Sequence, residues 1–388
     1  MTKTTTVAPA AASIPPAQSA SAPSVDEQVK ALLPQLEAFV SKTRGLAFQS
    51  SVPTTVLPEG AFEAKLASMA PAPTPAEQAD AADAEAALQA LGLIAPGTDL
   101  SKAGQSVQAD IDGIYDFQTK QLMVKGTAIT PYVRSVLVHE LTHALDDQHF
   151  DLMRMASMTG NDEKADSFRA LSEGDAVRVQ LAYINAMSPA DRASALADDG
   201  GAQSTSTASG AAAAPTGLSD LLAQTVVYPY IAGSMMVREL VAAGGEDYVN
   251  KAFASPPTGS MQVLDPTTYL RGIQPVVLDP PLPDPTSGYS VVDSGTFGQF
   301  FLALMMQENF DVDTAFAIAS TWAGDGYVVM KDPAGNTCVR IEYEADSAQD
   351  QPLLFAGLQA WARHHDAAVQ YAGVVYLTTC TGGTPKNP

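Results

Sequence analysis

The spacing of hydrophobic residues along the chain predicts a mainly helical protein. In several long segments apolar side chains recur every three or four positions, which is the period of one helix face. The predicted helices of this part cover residues 25–44, 75–91, 131–150, 165–186 and 218–243. Glycine directly follows the first, second and last of them, as is common where a helix ends. Helical patterning therefore dominates the first two thirds of the chain.

Shorter runs of alternating or β-branched residues predict strands. One run at 46–57 follows the first helix, and runs at 110–117 and 121–125 predict a hairpin directly before the helix at 131–150. The C-terminal part mixes both patterns. It has predicted helices at 297–309, at 312–323 and in a segment ending near 364, and predicted strands at 326–331, 337–343, 367–372 and 374–379. Together these patterns predict an α+β fold.

Three segments follow neither period. Residues 1–24 are mainly Ala, Thr, Pro and Ser, which cannot bury enough apolar surface to fold, so we expect a disordered leader. Residues 197–217 have a similar composition and predict a flexible loop, whereas the proline-rich residues 256–285 predict an ordered but irregular segment. The chain then divides into the leader, a mainly helical core with a small sheet at 25–287, and a smaller α+β module at 288–388.

The predicted helix at 131–150 carries the H-E-x-x-H sequence from His139 to His143. Residues four apart project from one helix face, so both imidazoles can reach one metal ion with Glu140 beside them. Imidazole is a usual zinc ligand, and a catalytic zinc ion keeps one position open for a water that a glutamate can deprotonate. The motif therefore predicts one catalytic zinc ion and metal-assisted hydrolysis.

Two histidines do not hold a catalytic zinc ion, and two residues compete for the role of third ligand. His149 matches the last histidine of H-E-x-x-H-x-x-G-x-x-H, but Asp146 stands where that pattern has glycine. Without glycine's backbone freedom the chain is less able to turn His149 back to the metal. Glu173, on the next predicted helix, would complete a site of two histidines and one carboxylate. We therefore favour Glu173.

Composition narrows the classes of partner. The 388 residues include 21 Lys and Arg against 43 Asp and Glu, a net charge of -22. An acidic surface of this kind repels nucleic-acid phosphates and anionic lipid. No stretch reaches the roughly 18 consecutive apolar residues of a transmembrane helix. We expect a peptide or protein substrate, no nucleic-acid partner and no transmembrane segment, while the sequence leaves the oligomeric state open.

The two cysteines bear on the cellular location of the protein. Cys338 and Cys380 are the only cysteines, and both lie in or beside predicted strands. A disulfide in an oxidising compartment and two buried thiols are equally compatible with this arrangement. The composition of the leader and the paired cysteines favour a secreted or cell-envelope protein, although neither conflicts with the cytoplasm.

The motifs together resemble a known family. Gluzincins, the thermolysin-type zinc peptidases, combine H-E-L-T-H with a later glutamate ligand. More closely, the chain resembles a group of bacterial zincin-like proteins with H-E-L-T-H-A-L-x-D-Q-H-F-D-L, A-L-x-E-G-D-A and P-Y-x-x-G, which stand here at 139–152, 170–176 and 229–233. The resemblance covers most of the chain beyond the leader and implies a zincin fold with Glu173 as the third ligand. The chain departs from the family at Asp265, where we would expect histidine.

The predicted reaction is zinc-dependent hydrolysis of a peptide bond. Glu140 acts as general base on the zinc-bound water and returns the proton to the leaving amine. Tyr230 is the first candidate to stabilise the oxyanion and Tyr228 the second. Asp147 and Asp175 are candidate acceptors for the ligand histidines, although each is also explained as a solvated carboxylate or a helix cap.

Two other functions fit the same sequence. One is a non-catalytic zincin-like binding or envelope protein, and the other is a zinc amide hydrolase that acts on cell-wall peptides. Zinc content and loss of hydrolysis in a Glu140→Gln variant separate the enzyme from the binding protein. Peptidoglycan fragments offered beside protein substrates separate the two hydrolases.

Overall fold

The computed structural model describes residues 23–69, 73–102, 111–158, 162–198 and 220–383. These residues form a mainly helical α+β fold with two small sheets, which agrees with the α+β prediction. The predicted leader lies outside the described residues as far as residue 22, and the predicted loop lies outside them from residue 199 onward. Within the described part, every helix is too short or too polar to span a membrane.

The elements are numbered in chain order. The helices before the C-terminal part are α1 (Val25–Arg44), α2 (Glu59–Met69), α3 (Pro75–Ala90), α4 (Pro131–Phe150), α5 (Asp162–Ala186), α6 (Pro189–Asp198), α7 (Asp220–Gly244), α8 (Glu246–Ala254), α9 (Ser260–Leu264) and α10 (Pro266–Leu270). The later helices are α11 (Gly298–Gln307), α12 (Val312–Ala319) and α13 (Gln351–Ala362). The strands are β1 (Thr54–Leu57), β2 (Gly113–Asp116), β3 (Gln121–Lys125), β4 (Ser290–Gly295), β5 (Trp322–Lys331), β6 (Thr337–Ala345), β7 (Ala368–Tyr371) and β8 (Val375–Cys380).

Local sequence signals set the ends of α1, the first helix of the chain, and the start of α4, which carries the H-E-x-x-H residues. Ser24 and Glu27 form a capping box at the start of α1, and Gly45 ends this helix with a φ of 66°. Thr130 caps α4 by accepting a hydrogen bond from the Val133 amide, and proline occupies the first position of that helix. These capping interactions position α4 directly after the β2–β3 hairpin.

The smaller sheet lies beside α4. Its strand order is β1-β3-β2, with β1 parallel and β2 antiparallel to β3. The hairpin before α4 is therefore confirmed. The predicted strand at 46–57 is wrong except for β1, because residues 49 and 50 bind the end of α4 instead of a neighbouring strand. Their amides both donate to Oε1 of Gln148.

The larger sheet is antiparallel throughout, with the strand order β4-β5-β6-β8-β7. Strands β6 and β8 place Cys338 opposite Cys380, and the two residues form a disulfide. The sequence left this pairing open. The disulfide closes a segment of 42 residues that contains α13 and β7, and such a cross-link restricts the unfolded chain.

Strand β5 begins earlier than its sequence pattern indicates. Residues 322 and 323 were assigned to a helix, but they belong to the strand, where Val276 donates its amide to the carbonyl of Ala323 at 2.8 Å. A Cβ added at Gly324 would lie 2.2 Å from the Val276 carbonyl oxygen. Glycine is therefore required where the proline-rich segment crosses the strand. Helices α2, α6, α8, α9 and α10 and strand β4 were also not predicted.

The hydrophobic core continues across the predicted boundary between residues 287 and 288. Phe168 of α5 belongs to the same buried cluster as Trp322 and Trp361 of the C-terminal part. Helix α3 joins the larger sheet as well, because Thr379 Oγ1 donates to the carbonyl of Ala90 at 2.9 Å. The helices that carry the site and the C-terminal sheet thus share one core.

A second buried cluster holds α4 against α1 and the smaller sheet. The apolar residues that recur at the helical period in α4 are all buried: Val133, Val136, Leu137, Leu141 and Leu145. They pack with residues such as Val40 of α1 and Val124 of β3. Packing on this face fixes α4 in the interior, and the helix presents the H-E-x-x-H residues to α5.

Candidate metal centre

The predicted ligands come together where α4 faces α5. Ligand atoms of His139, His143 and Glu173 all lie within 4.8 Å of one another. Oε2 of Glu173 is 3.3 Å from Nε2 of His139 and 3.4 Å from Nε2 of His143. The two Nε2 atoms are 3.2 Å apart. Two helices thus contribute three donor atoms to one small cluster.

These distances fit a metal ion at the centre of the three atoms. With metal–ligand bonds of about 2.0–2.1 Å, the ligands of a tetrahedral ion lie about 3.3–3.4 Å apart. Within the described residues, no further His, Cys, Asp or Glu belongs to this group. The group can therefore hold a metal ion through three protein ligands.

The remaining nitrogen of each histidine has a partner on α5. His139 Nδ1 lies 3.1 Å from Oε1 of Gln180, and His143 Nδ1 lies 3.2 Å from Oγ of Ser172. An amide oxygen only accepts, so a proton on Nδ1 of His139 would complete this hydrogen bond and leave Nε2 free to bind a metal. Sequence reasoning missed both partners. Their spacing from the third ligand could have indicated both residues. Ser172 adjoins Glu173, and Gln180 follows Glu173 by two helical turns.

The two carboxylates proposed as histidine partners have other roles. Asp147 accepts hydrogen bonds from the Tyr115 hydroxyl at 3.0 Å and the Lys120 ammonium at 2.6 Å. Asp175 pairs with Arg44 at 2.5 Å and with Arg178 at 2.7 Å. Neither residue has a hydrogen bond to a ligand histidine within the described part of the chain. These candidate roles are therefore wrong, because nearby cations and a phenol already bind both carboxylates.

A buried arginine ties the helices around the site together. Arg44, at the end of α1, is fully buried and lies 2.9 Å from Asp146, 2.5 Å from Asp175 and 2.6 Å from Glu246. Burial and the neighbouring Asp175 raise the pKa of Asp146, while the guanidinium opposes this shift. Removing one partner from such a network costs about 3–5 kcal/mol, because it leaves a buried charge uncompensated.

The same arginine explains why the glycine of the alternative pattern is absent. Asp146 is needed as a partner of Arg44, and α4 continues through it without a turn as far as Phe150. His149 stays on this helix, where its Nε2 lies 2.8 Å from the carbonyl oxygen of Ala47. It does not join the metal cluster within the described residues.

Glu140 lies between the cluster and the smaller sheet. Its Oε2 accepts a hydrogen bond from the Tyr115 amide of β2 at 2.7 Å. The strand approaches closely because residue 113 is glycine, where an added Cβ would lie 2.5 Å from Val136 and 3.1 Å from Cγ of Glu140. Burial raises the pKa of Glu140 above its usual value, although the charged forms of the two histidines oppose this.

The charges of the cluster depend on one another. Burial alone would raise the pKa of Glu173, but His143 and His139 hold it well below its usual value. Burial alone would lower the pKa of His143, but the Glu173 carboxylate outweighs this and raises it to about 9. A metal ion must displace the proton of His143, so its affinity falls as the pH decreases.

Two glycines bring α7 against α5. A Cβ on Gly174 would lie 2.1 Å from the carbonyl carbon of Gly233, and a Cβ on Gly233 would lie 1.8 Å from the carbonyl oxygen of Ala170. The two backbones therefore touch at this crossing, where any larger residue would separate the helices. The glycines of the two family-like motifs thus place the middle of α7 beside the ligand helix α5.

The two candidate tyrosines of α7 have different neighbours. The ring of Tyr230 lies 6.4 Å from the ring of His139, centroid to centroid. Tyr228 instead stacks on Phe300 in the core at 4.0 Å, and its buried hydroxyl has no hydrogen-bond partner among the described residues. The Glu173 charge and burial raise the pKa of Tyr230, so the phenol stays protonated and can donate.

Two further sequence features are explained by local structure. Asp265, in place of the expected histidine, caps α10 by accepting from the amide and hydroxyl of Thr267. Of the pair His364 and His365, the second stacks on Trp361 at 4.2 Å and pairs with Glu308 at 2.9 Å. Neither histidine belongs to a metal-binding group in the described part of the chain.

No family model, curated protein or solved structure matches this chain. The function is therefore inferred from the geometry of the site itself.

Proposed function

We propose that the protein is a zincin-like metallopeptidase, with His139, His143 and Glu173 as zinc ligands and Glu140 as general base. The observation that carries this proposal is the set of three donor atoms at tetrahedral separations, with a buried carboxylate beside them. Two imidazoles and one carboxylate are the ligand set of thermolysin-type zinc sites. The donor chemistry favours zinc over magnesium or calcium, which prefer oxygen ligands.

The roles of the chain's own residues follow from their positions. A bound zinc ion supplies Lewis-acid polarisation of the substrate carbonyl and lowers the pKa of water. Glu140 takes a proton from the attacking water at a carboxylate oxygen and later delivers it to the leaving amine. The Tyr115 amide holds the other carboxylate oxygen in place. The raised pKa of Glu140 strengthens it as a base near neutral pH.

Tyr230 is proposed as the hydroxyl donor to the developing oxyanion. We expect Tyr230→Phe to lower kcat by about a hundredfold to a thousandfold with little change in KM, because the hydroxyl acts chiefly in the transition state. Tyr228→Phe is the matched control, since its hydroxyl has no partner among the described residues and should leave kcat unchanged. Steady-state kinetics on a cleaved library peptide measure both variants, and equal effects would contradict the assignment.

Metal removal tests the proposal as a whole. We expect the purified full-length chain to contain one zinc ion per molecule by mass spectrometry of the metal. Dialysis against a chelator should abolish cleavage of a peptide library, and one equivalent of zinc should restore it.

Three results would overturn this function. Absence of stoichiometric zinc would contradict the proposed zinc site. A zinc-loaded chain that cleaves no peptide would favour the non-catalytic binding protein. Cleavage of peptidoglycan fragments without cleavage of protein substrates would instead favour the cell-wall amide hydrolase.

The Cys338–Cys380 disulfide supports a secreted or cell-envelope location, because disulfides persist in oxidising compartments.

A further inference from the structure

A second cavity lies away from the metal cluster, between the start of α5, helix α3 and the edge of the larger sheet. Its volume is about 690 Å³, and it is lined by side chains of α3, α5, β4, β5 and α11. The three candidate zinc ligands are not among its lining residues. We call it the acidic cavity, because acidic side chains of three elements converge on it: Asp80, Asp83, Glu163, Asp166 and Asp293.

The charges around the acidic cavity have one sign. No lysine or arginine is among its lining residues in the described part of the chain. Lys331 approaches from one side and pairs with Asp83 at 2.5 Å, which neutralises one of the carboxylates. Asp80 and Asp293 are exposed and lie on different elements. The rim therefore carries an excess of negative charge that a cation would neutralise.

One wall of the acidic cavity is aromatic. Phe297 and Tyr327 stack with their ring centroids 4.1 Å apart, and Phe301 lies 5.9 Å from Phe297. The Tyr327 hydroxyl donates to Oδ2 of Asp293 at 2.7 Å, which holds this rim carboxylate beside the rings. Aromatic faces attract cations and also cover apolar stems. The wall therefore fits a ligand with both an aliphatic part and a positive charge.

A buried carboxylate lies inside the acidic cavity. Glu163 is 6% exposed, and both of its hydrogen bonds, from the amide and hydroxyl of Ser260, go to Oε1. Its Oε2 has no hydrogen bond among the described residues. Burial raises the pKa of Glu163 to about 8, and Asp325 and Asp166 add to this effect. A cation in the cavity would stabilise the charged form of this carboxylate.

We propose that the acidic cavity binds an organic cation, namely a guanidinium or ammonium group on an aliphatic stem. The stem lies against Phe297, and the charged group is shared by Glu163 and the rim aspartates. Both a free amine or guanidine compound and a basic side chain of a peptide have this chemistry. A bare metal ion would leave the aromatic wall without a contact, so the wall favours the organic cation.

The position of the acidic cavity connects it with the metal centre. Glu163 and Glu173 lie on the same helix, ten positions apart, which corresponds to about 15 Å along the helix axis. An extended peptide covers this distance with about five residues. If the proposed peptidase function holds, a basic side chain about five residues from the cleaved bond could reach the cavity. Cation binding itself does not depend on that function.

Calorimetric titration of the full-length Glu140→Gln chain with N-acetylarginine amide tests the proposal without turnover. We expect saturable binding and at least tenfold weaker binding of N-acetylcitrulline amide, which replaces the cation with a neutral group of the same shape. The Asp80→Asn/Asp293→Asn double variant should bind the arginine compound about tenfold more weakly, because two nearby charges are removed. Phe297→Leu should weaken binding about threefold to tenfold.

The matched control is Asp247→Asn/Asp313→Asn, which removes two exposed charges that do not line the cavity. It changes the net charge equally and should leave binding unchanged. Equal binding of the citrulline compound, or equal weakening in both double variants, would overturn the proposal, as would absence of binding. Agmatine and the peptide Gly-Gly-Arg-Gly-Gly separate the two sources of the cation, because tighter binding of one assigns its class. Thermal unfolding midpoints confirm that each variant is folded.

Discussion

Replacing Glu140 by glutamine is expected to abolish peptide hydrolysis while zinc stays bound. Glutamine keeps the size of the side chain and can still accept the hydrogen bond from the Tyr115 amide. It cannot take a proton from the attacking water, and loss of a general base lowers the rate by about a hundredfold to ten-thousandfold. Since Glu140 also returns the proton to the amine, we expect an effect near the upper end of this range.

The measurement compares kcat, KM and zinc content in the Glu140→Gln variant and the original chain. Glu239→Gln is the matched control, because this exposed glutamate of α7 lies outside the metal cluster and should not affect kcat. An unchanged kcat with bound zinc would exclude Glu140 as the base. Loss of zinc would instead mean that the variant disturbs the ligands, and the Glu140→Asp variant would then show whether a shorter carboxylate restores hydrolysis.

Replacing Glu173 by alanine is expected to remove the metal from the protein. Loss of partners around a zinc ligand already lowers metal affinity about tenfold to a hundredfold, so loss of a direct ligand should lower it by at least a hundredfold. His149→Ala should retain zinc, because this imidazole binds the Ala47 carbonyl outside the cluster. The two variants therefore separate the two ligand sets that the sequence leaves in competition.

Competition with a chromogenic chelator measures the zinc affinity of both variants. Glu173→Gln serves as a second test that keeps the size of the side chain, and we expect it to lose zinc as well, since an amide is a poor zinc ligand. Retention of zinc in both Glu173 variants, together with its loss in His149→Ala, would reverse the assignment. Near-ultraviolet circular dichroism verifies that the packing of each variant is intact.

The helix that carries the H-E-x-x-H motif could be predicted from sequence because every signal in it is local. Thr130 and Pro131 mark its start, and its apolar residues repeat at the helical period. The spacing of the two histidines then follows from helix geometry alone. The same reasoning predicted the β2–β3 hairpin, whose strands are joined by a short turn. In these segments local propensity and tertiary packing agree.

The parts that could not be predicted depend on contacts between distant segments. The residue pattern favoured Glu173 over His149 because Asp146 replaces the glycine, but the role of Asp146 becomes clear only when Arg44 is beside it. Strand β5 was partly missed because its glycines are explained only by a segment about fifty residues earlier, which crosses the strand in close contact. The strand order of the larger sheet and the acidic cavity likewise arise from elements far apart in the chain.

The arginine at the end of α1 sets the order in which the metal centre can be completed during synthesis. Arg44 leaves the ribosome early, but its partner Glu246 follows 202 positions later. Until Glu246 has been synthesised, the ion-pair network that holds the charges of Asp146 and Asp175 is incomplete. A fragment that begins after α1, or that ends before α8, therefore lacks part of the buried ion-pair network beside the site. The candidate metal centre therefore depends on the chain from α1 to α8 and not on the motif alone.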